Sequence, residues 1–349
     1  MRRPLTGARA NDPETMIGEK LCRKRSKLRD SLLASSRWML ALPALIFAAS
    51  VCESVKASEN VPHRPFAIMA EVPLAKQFVF ATVYEESEAY DIWASGKHYD
   101  VTQKSSGESY GIDINQGYFQ FQYGINDRWA ADLSIGGTTL GWRYFDNGNV
   151  QDTTGLMDFG LGVRYQLFHE GPTNSPWVPT LTFRAGAVLP GTYSKDIAFA
   201  PGQRSAAIEP ELLLRKHLGW PGLGFYADAL YRWNRTTGND QYIVALGCFQ
   251  EIKQWELDLG YRHLQTLFGS DIVMYPDHTI DYPRDPREIS DAIEAGFSYT
   301  TSRLHWRYGF HCRSVVDGNN SDAKFWVGGS IDIPFGGKKA PKVLEDEGD

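Results

Sequence analysis

The residues of this chain able to do chemistry fall into three sets. The first is in segment 268–287, which carries Asp271, Asp277, His278, Asp281 and Asp285. Hard carboxylate oxygens in a loop suit Ca²⁺. The spacing matches no calcium loop, and Pro276, Pro283 and Pro286 stiffen the segment. A solvated loop is therefore expected, with no metal or cofactor. The second set would be a Ser–His hydrolase pair, which needs both side chains on one face, at spacing two on a strand. His311 and Ser314 are three apart. His305 and His311 share one face, and His217 and His263 have no Ser near them in the sequence. The residues thus point away from an enzyme. The third set is the largest: Asp132, Asp158, Arg164, Arg184, Glu209, Glu211, Arg215, Tyr226, Asp228, Arg232, Glu256, Asp258, Arg262, Glu294, Arg307 and Asp332. Both signs are mixed. Such residues either line a polar path for a solute or pair with one another as structural filling. Which of these holds depends on what their carriers build.

The carriers read as strands. From Thr154 to Phe168 the chain runs TGLMDFGLGVRYQLF. Met157, Phe159, Leu161, Val163, Tyr165 and Leu167 alternate with Asp158, Gly160, Gly162, Arg164 and Gln166, a strict period of two. Trp255, Leu257, Leu259 and Tyr261 oppose Glu256, Asp258, Gly260 and Arg262 in the same way. Phe225, Ala227, Ala229, Tyr231 and Trp233 oppose Tyr226, Asp228 and Arg232. The pattern returns down the chain with no helical segment to cover the apolar faces. Lipid is the simplest environment for them, and a closed β-barrel is the sheet that can sit in lipid. The third set of residues then faces the lumen.

Twelve strands are expected, at about 77–87, 110–124, 128–141, 155–168, 178–190, 205–217, 223–235, 239–251, 254–267, 288–300, 304–316 and 322–335. The turns at Asn126-Asp127, Trp220-Pro221-Gly222, Ile252-Lys253 and Thr301-Ser302 fall at one end. The long segments 88–109, 142–154, 191–204 and 268–287 fall at the other. That sorting and an even strand count suit an outer-membrane barrel, with short periplasmic turns and longer external loops. Residues 169–177 are somewhat long for a periplasmic turn. Ile112 and Ile114 have the parity opposite to Phe119 and Phe121, which predicts a bulge near Gln116. Counting through the connections places Asp132 near Arg164 and Glu294 near His311.

Bulk properties agree. Mean hydropathy is −0.36, as alternating strands dilute the apolar signal. Glycines number 33, and aromatics make up 13%. Residues 1–57 read as a secretory signal segment, with basic Arg23, Lys24, Arg25, Lys27, Arg29 and Arg37, the apolar run Trp38 to Val51, and Val55-Lys56-Ala57 as cleavage site. Met16 is an alternative start. Residues 58–76 read as a short irregular arm, periplasmic or luminal; 77–335 as the barrel; 336–349 as a charged tail. Without residues 1–57 the chain keeps 36 − 11 = 25 basic and 42 − 5 = 37 acidic residues, a net charge of −12. That argues against a nucleic-acid partner. Cys248 and Cys312 fall on the eighth and eleventh strands, about 14 Å apart by strand spacing. That is beyond disulfide reach, so two free lipid-facing thiols are expected.

Thr154-Gly155-Leu156-Met157-Asp158-Phe159-Gly160-Leu161-Gly162-Val163-Arg164-Tyr165 resembles the "SGLGDLxLGLKY" strand of the outer-membrane family named for the MetA pathway of phenol degradation, related to the long-chain fatty-acid transporter class. Gly124-Ile125-Asn126-Asp127-Arg128-Trp129 is similar to that family's "GLTDRWE" turn, and Leu189-Pro190-Gly191-Thr192 to its "LPTG" strand end, with Thr and Gly transposed. The likeness spans most of 115–335. It implies an outer-membrane transporter of small hydrophobic or aromatic compounds. The arm 58–76 is too short for the N-terminal hatch of the fatty-acid transporters.

The expectation is therefore an all-β, transmembrane, up-and-down barrel in the outer membrane of a Gram-negative-type bacterium. Lipid and a small-molecule solute are its expected partners. Passive transport is the first reading. A structural or adhesive barrel with a packed lumen, acting through its external loops, is the second.

Overall fold

The structure is a computed structural model. It describes residues 70–100, 111–143, 150–171, 177–194, 200, 204–219, 221–235, 239–274, 280, 281, 283 and 286–337. The chain divides into two units, Met1–Glu53 and Ser54–Asp349, and every described residue belongs to the second. The signal segment, most of the arm and nearly all of the tail lie outside the described residues.

Twelve antiparallel strands form the wall: β1 (Gln77–Ala89), β2 (Ile112–Gly124), β3 (Trp129–Arg143), β4 (Val150–Leu156 and Phe159–Phe168), β5 (Thr180–Leu189), β6 (Ala207–His217), β7 (Leu223–Asn234), β8 (Gln241–Ile252), β9 (Trp255–Thr266), β10 (Ile289–Thr300), β11 (Arg307–Asn319) and β12 (Phe325–Gly336). Each pairs with the next, and β1 pairs with β12, so the sheet closes and leaves no edge. The expected twelve-stranded, all-β barrel is the observed fold.

Alternation decides which side chain goes where. Phe119, Phe121, Leu161, Val163, Phe225, Tyr231, Trp233, Leu259, Tyr261, Phe297, Phe310 and Ile331 are exposed on the outer face. Such a continuous apolar exterior is what an outer-membrane barrel turns to hydrocarbon. The opposite parity points inward and is polar through the middle of the wall. Cys248 and Cys312 are unlinked. The turns at 125–128, 218–219 with 221–222, 253–254 and 301–306 share an end with Gln77 and Gly336, the periplasmic end by the turn-length rule. Local chemistry shapes them: Asn126 Oδ1 accepts from the Arg128 and Trp129 amides, both at 2.9 Å, a side-chain-closed turn.

Four features differ from the expectations. No bulge sits at Gln116, because β2 keeps one register against both neighbours. Ile112 and Ile114 simply point inward and are fully buried. The true irregularities are at Gln166/Phe168 and Asp291/Ala292. A further one-residue shift falls between the pairs Gly137↔Leu156 and Ser134↔Gly160, where Met157 and Asp158 leave the ladder. Strand β4 begins at Val150 rather than 155, because β3 continues far enough to pair with it. His305 lies in the β10–β11 turn with φ 55° and not on a strand face.

The outer end is capped. Asp91–Ala94 pairs with Lys97–Asp100 and with Ser321–Asp322 in a small separate sheet. Buried Asn320 ties this cap together. Its Oδ1 accepts from the Ile272 amide at 2.9 Å, and its Nδ2 donates to Asp271 Oδ1 and to the Arg287 carbonyl, both at 2.8 Å. Ile92, Ala94, Ile112, Ile114, Leu140 and Ile272 are almost wholly buried at this end, an apolar layer above the charged middle.

Candidate functional site

The candidate site is the inner face of the barrel, held by the backbone ladders. Direct neighbours in a ladder stand about 5 Å apart, so inward side chains on successive strands are placed to pair. On β3 to β6, Asp132 lies between two guanidiniums. Arg164 Nε is 3.4 Å and Arg184 Nη2 2.8 Å from its carboxylate. Arg184 continues to Glu211 at 3.3 Å and Glu209 at 3.6 Å, and Glu209 holds Arg232 at 2.6 Å. Arg164 also donates to Gln122 at 2.6 Å. Buried Asp228 shares a hydrogen bond with Glu211.

A second string runs through the other half of the wall. Arg262 and Arg313 reach Glu294 at 3.1 and 3.6 Å. Glu85 on β1 takes His311 at 3.1 Å and Gln116 at 2.5 Å. His311 is thus a partner of Glu85. The β10–β11 register sets Glu294 opposite Arg313, two residues from where turn counting put it. Toward the periplasmic end Arg215 holds Glu256 at 3.2 Å, pairs with Glu251, and lies 4.0 Å from the centre of the Phe249 ring. Arg307 reaches the same Glu256 at 3.1 Å, and buried Asp332 faces Arg307 across the ladder.

Three of the sequence-selected residues do something else. Asp158, at the β4 break, accepts from the Gly191 amide at 2.8 Å, the Tyr193 hydroxyl at 3.0 Å and the Arg204 amide at 3.2 Å. It anchors the β5–β6 loop, and burial beside this carboxylate pushes the Tyr193 phenol well up. Tyr226 and Asp258 lie along the wall. A Cβ at Gly296 would stand 2.8 Å from Asp258 Oδ2, and one at Gly260 would collide with the Tyr226 hydroxyl. Arg184 behaves likewise, 2.6 Å from a Cβ at Gly162. Glycine removes the side chain that would otherwise lift these groups off the sheet and into the bore.

Sequence reading missed several participants. Glu85 and Gln122 sit on β1 and β2, where inward Val79, Ala81 and Val83 blur the alternation. Glu71 sits in the arm, where no periodicity marks it. Its carbonyl accepts from Arg164 Nη1 at 3.3 Å, and its Oε1 lies 3.3 Å from Arg215 Nη1. Asp271 belongs to the Asn320 clasp and pairs with Arg287 at 3.1 Å, while Asp277, His278 and Asp285 lie outside the described residues. Among the described residues no group of three or more His, Cys, Asp or Glu could hold a metal ion.

No protein-family model matches the chain, and no curated protein sequence matches it. Solved structures do. The outer membrane channel from Pseudomonas putida F1 superposes with a TM-score of 0.59 at 14% identity, covering 81% of this chain and 100% of the channel. The translocator domain of autotransporter NalP from Neisseria meningitidis gives 0.39 at 12% identity, over 75% and 88%. A KdgM porin gives 0.37 at 10% identity, over 73% and 99%. The chain has the fold of an outer-membrane β-barrel of Gram-negative bacteria.

Proposed function

We propose that this barrel carries small, hydrophobic or aromatic, largely uncharged solutes passively across the outer membrane. The observation that carries the reading is the way the belt is laid. Arg184, Tyr226 and Asp258 lie flat over glycines of the neighbouring strands. A lumen meant only to be filled has no use for this, because apolar side chains would fill it without the desolvation cost of buried ion pairs. Charged groups paired along the wall suit a surface that is wetted when a solute passes. Opposite charges pair with one another along the belt.

Part of the inner face toward the outer end is apolar. Leu230, Ile243 and Leu264 form one ladder row across β7, β8 and β9, and Ile114 faces Leu140 across β2 and β3. Such rows suit an apolar ring. The MetA-pathway resemblance supports the same solute class, and the similar fold from Pseudomonas putida is described as a channel. Lipid covers the exterior. The Asn320 clasp at the outer mouth favours a second reading, a structural or adhesive barrel acting through its external loops.

Liposome swelling and single-channel recording on the refolded barrel decide between them. Entry of small neutral aromatics ahead of sugars of equal size is the expected result. A lumen that passes no solute of any kind would leave the structural reading standing.

A further inference from the structure

Residues 70–76 lie inside the periplasmic mouth. The buried Thr182 hydroxyl of β5 donates to the Ala70 carbonyl. Arg164 of β4 and Arg215 of β6 hold Glu71. At the other end the Lys76 amide donates to the Gly124 carbonyl of β2 at 2.6 Å, and β1 begins at Gln77. A Cβ at Gly124 would stand 2.5 Å from the Pro73 carbonyl oxygen, so the arm presses against the inside of β2. The segment thus reaches from β1 to side chains of β6, five strands round a twelve-stranded wall. Residues 74–77 close a turn, with the Gln77 amide donating to the Leu74 carbonyl at 2.9 Å, and the stretch from Ala70 to Leu74 covers about 14 Å, enough to lie across part of the inner mouth.

We infer that Ala70–Lys76 is a releasable bar across the inner mouth and that Glu71 is its latch. The inference rests on the passage reading above. Four observations support release. Glu71 is half satisfied: its Oε2 is buried without a hydrogen-bond partner. The two guanidiniums that hold Glu71 keep other partners without the arm, since Arg215 keeps Glu251, Glu256 and the Phe249 face, and Arg164 keeps Asp132 and Gln122. The charges agree. At this level Arg164, Arg184, Arg215, Arg307 and Lys216 meet Asp132, Glu211, Glu251, Glu256 and Glu170. Each cation that holds Glu71 already has a carboxylate of its own, Asp132 for Arg164 and Glu251 and Glu256 for Arg215. Finally, Lys76 has φ 64°, the left-handed region that a non-glycine residue holds only at some strain. It lies at the point where the arm meets the wall, its amide and carbonyl both bonded there.

The test uses the full barrel in liposomes, with Cys248→Ser and Cys312→Ser to clear native thiols. Ala70→Cys with Thr182→Cys, joined by a short thiol-reactive crosslinker and verified by mass, locks the bar. Glu71→Ala and Glu71→Gln free it. Boiling-dependent migration in SDS gels confirms that each variant is folded. Locking is expected to abolish entry of a neutral aromatic probe such as benzyl alcohol. Freeing should raise entry by roughly tenfold, the loss of one charge-assisted bond. Equal entry through locked, free and parent barrels overturns the latch while leaving the passage reading intact. No entry through any of them overturns both.

Discussion

The Tyr226 hydroxyl lies over Gly260, two strands away from its own backbone, with Gly247 beneath the ring. The ring therefore tiles the wall of the barrel instead of projecting into it.

Gly260→Val should lift the ring. The inserted side chain costs about 1–3 kcal/mol by overpacking and swings the phenol into the lumen. Solute entry falls while the boiling-dependent gel shift persists at a lower transition temperature. Adding Tyr226→Ala to the same variant restores entry. If Gly260→Val conducts like the parent, the wall-laid geometry does not govern the bore.

Asn320 holds three segments of the cap with one side chain, from a backbone at φ 54°. Asn320→Ala removes the three bonds and strands the buried Ile272 amide, a loss of about 1–3 kcal/mol. The effect stays local, because the barrel ladders do not depend on it. Limited proteolysis from the outer side should cut segments 268–274 and 320–324 many times faster, with the gel-shift temperature of the barrel unchanged. Uncut loops would show that the clasp is redundant.

Lys324 gives the cap a pH dependence. Burial pushes its ammonium down to about 8, with Glu288 opposing and Arg313 reinforcing the shift, although Asp322 pairs with it at 2.5 Å. In the unfolded chain the group holds its proton to a higher pH, so between pH 8 and about 10.4 the unfolded state binds more protons and stability rises with pH. Gel-shift temperature should therefore climb from pH 7 to pH 9.5 in this window. Lys324→Met should flatten the climb. A fall over the same range would show that the Asp322 pair outweighs the burial.

The strand count, the ends of the barrel and the inner belt were legible because period two is strict where one face meets lipid and the other is charged, as on β4, β7 and β9. Legibility failed where the inward face is apolar and the outward face polar. On β2 the inward Ile112 and Ile114 belong to the cap layer, and their parity mimics a bulge that the ladder does not contain. Pairing across a turn was readable for Asp132 and Arg164. It missed by two residues at Glu294, where the length of the β10–β11 turn sets the register and no local residue announces it. Glu71 and Asn320 lie outside any periodic segment. Their roles come from chain folding back onto the wall, which composition and alternation do not encode.

The seam between β1 and β12 joins the two ends of the described chain through twelve paired positions, from Gln77↔Gly336 to Glu88↔Phe325. Its partners lie near the two ends of the described residues, so no earlier strand can stand in for β12. Until that last strand is synthesised and delivered, β1 offers an open row of amides and carbonyls to any neighbour. Biogenesis must therefore hold the chain back from aggregation through its entire export, and the final act of assembly is the meeting of its first strand with its last.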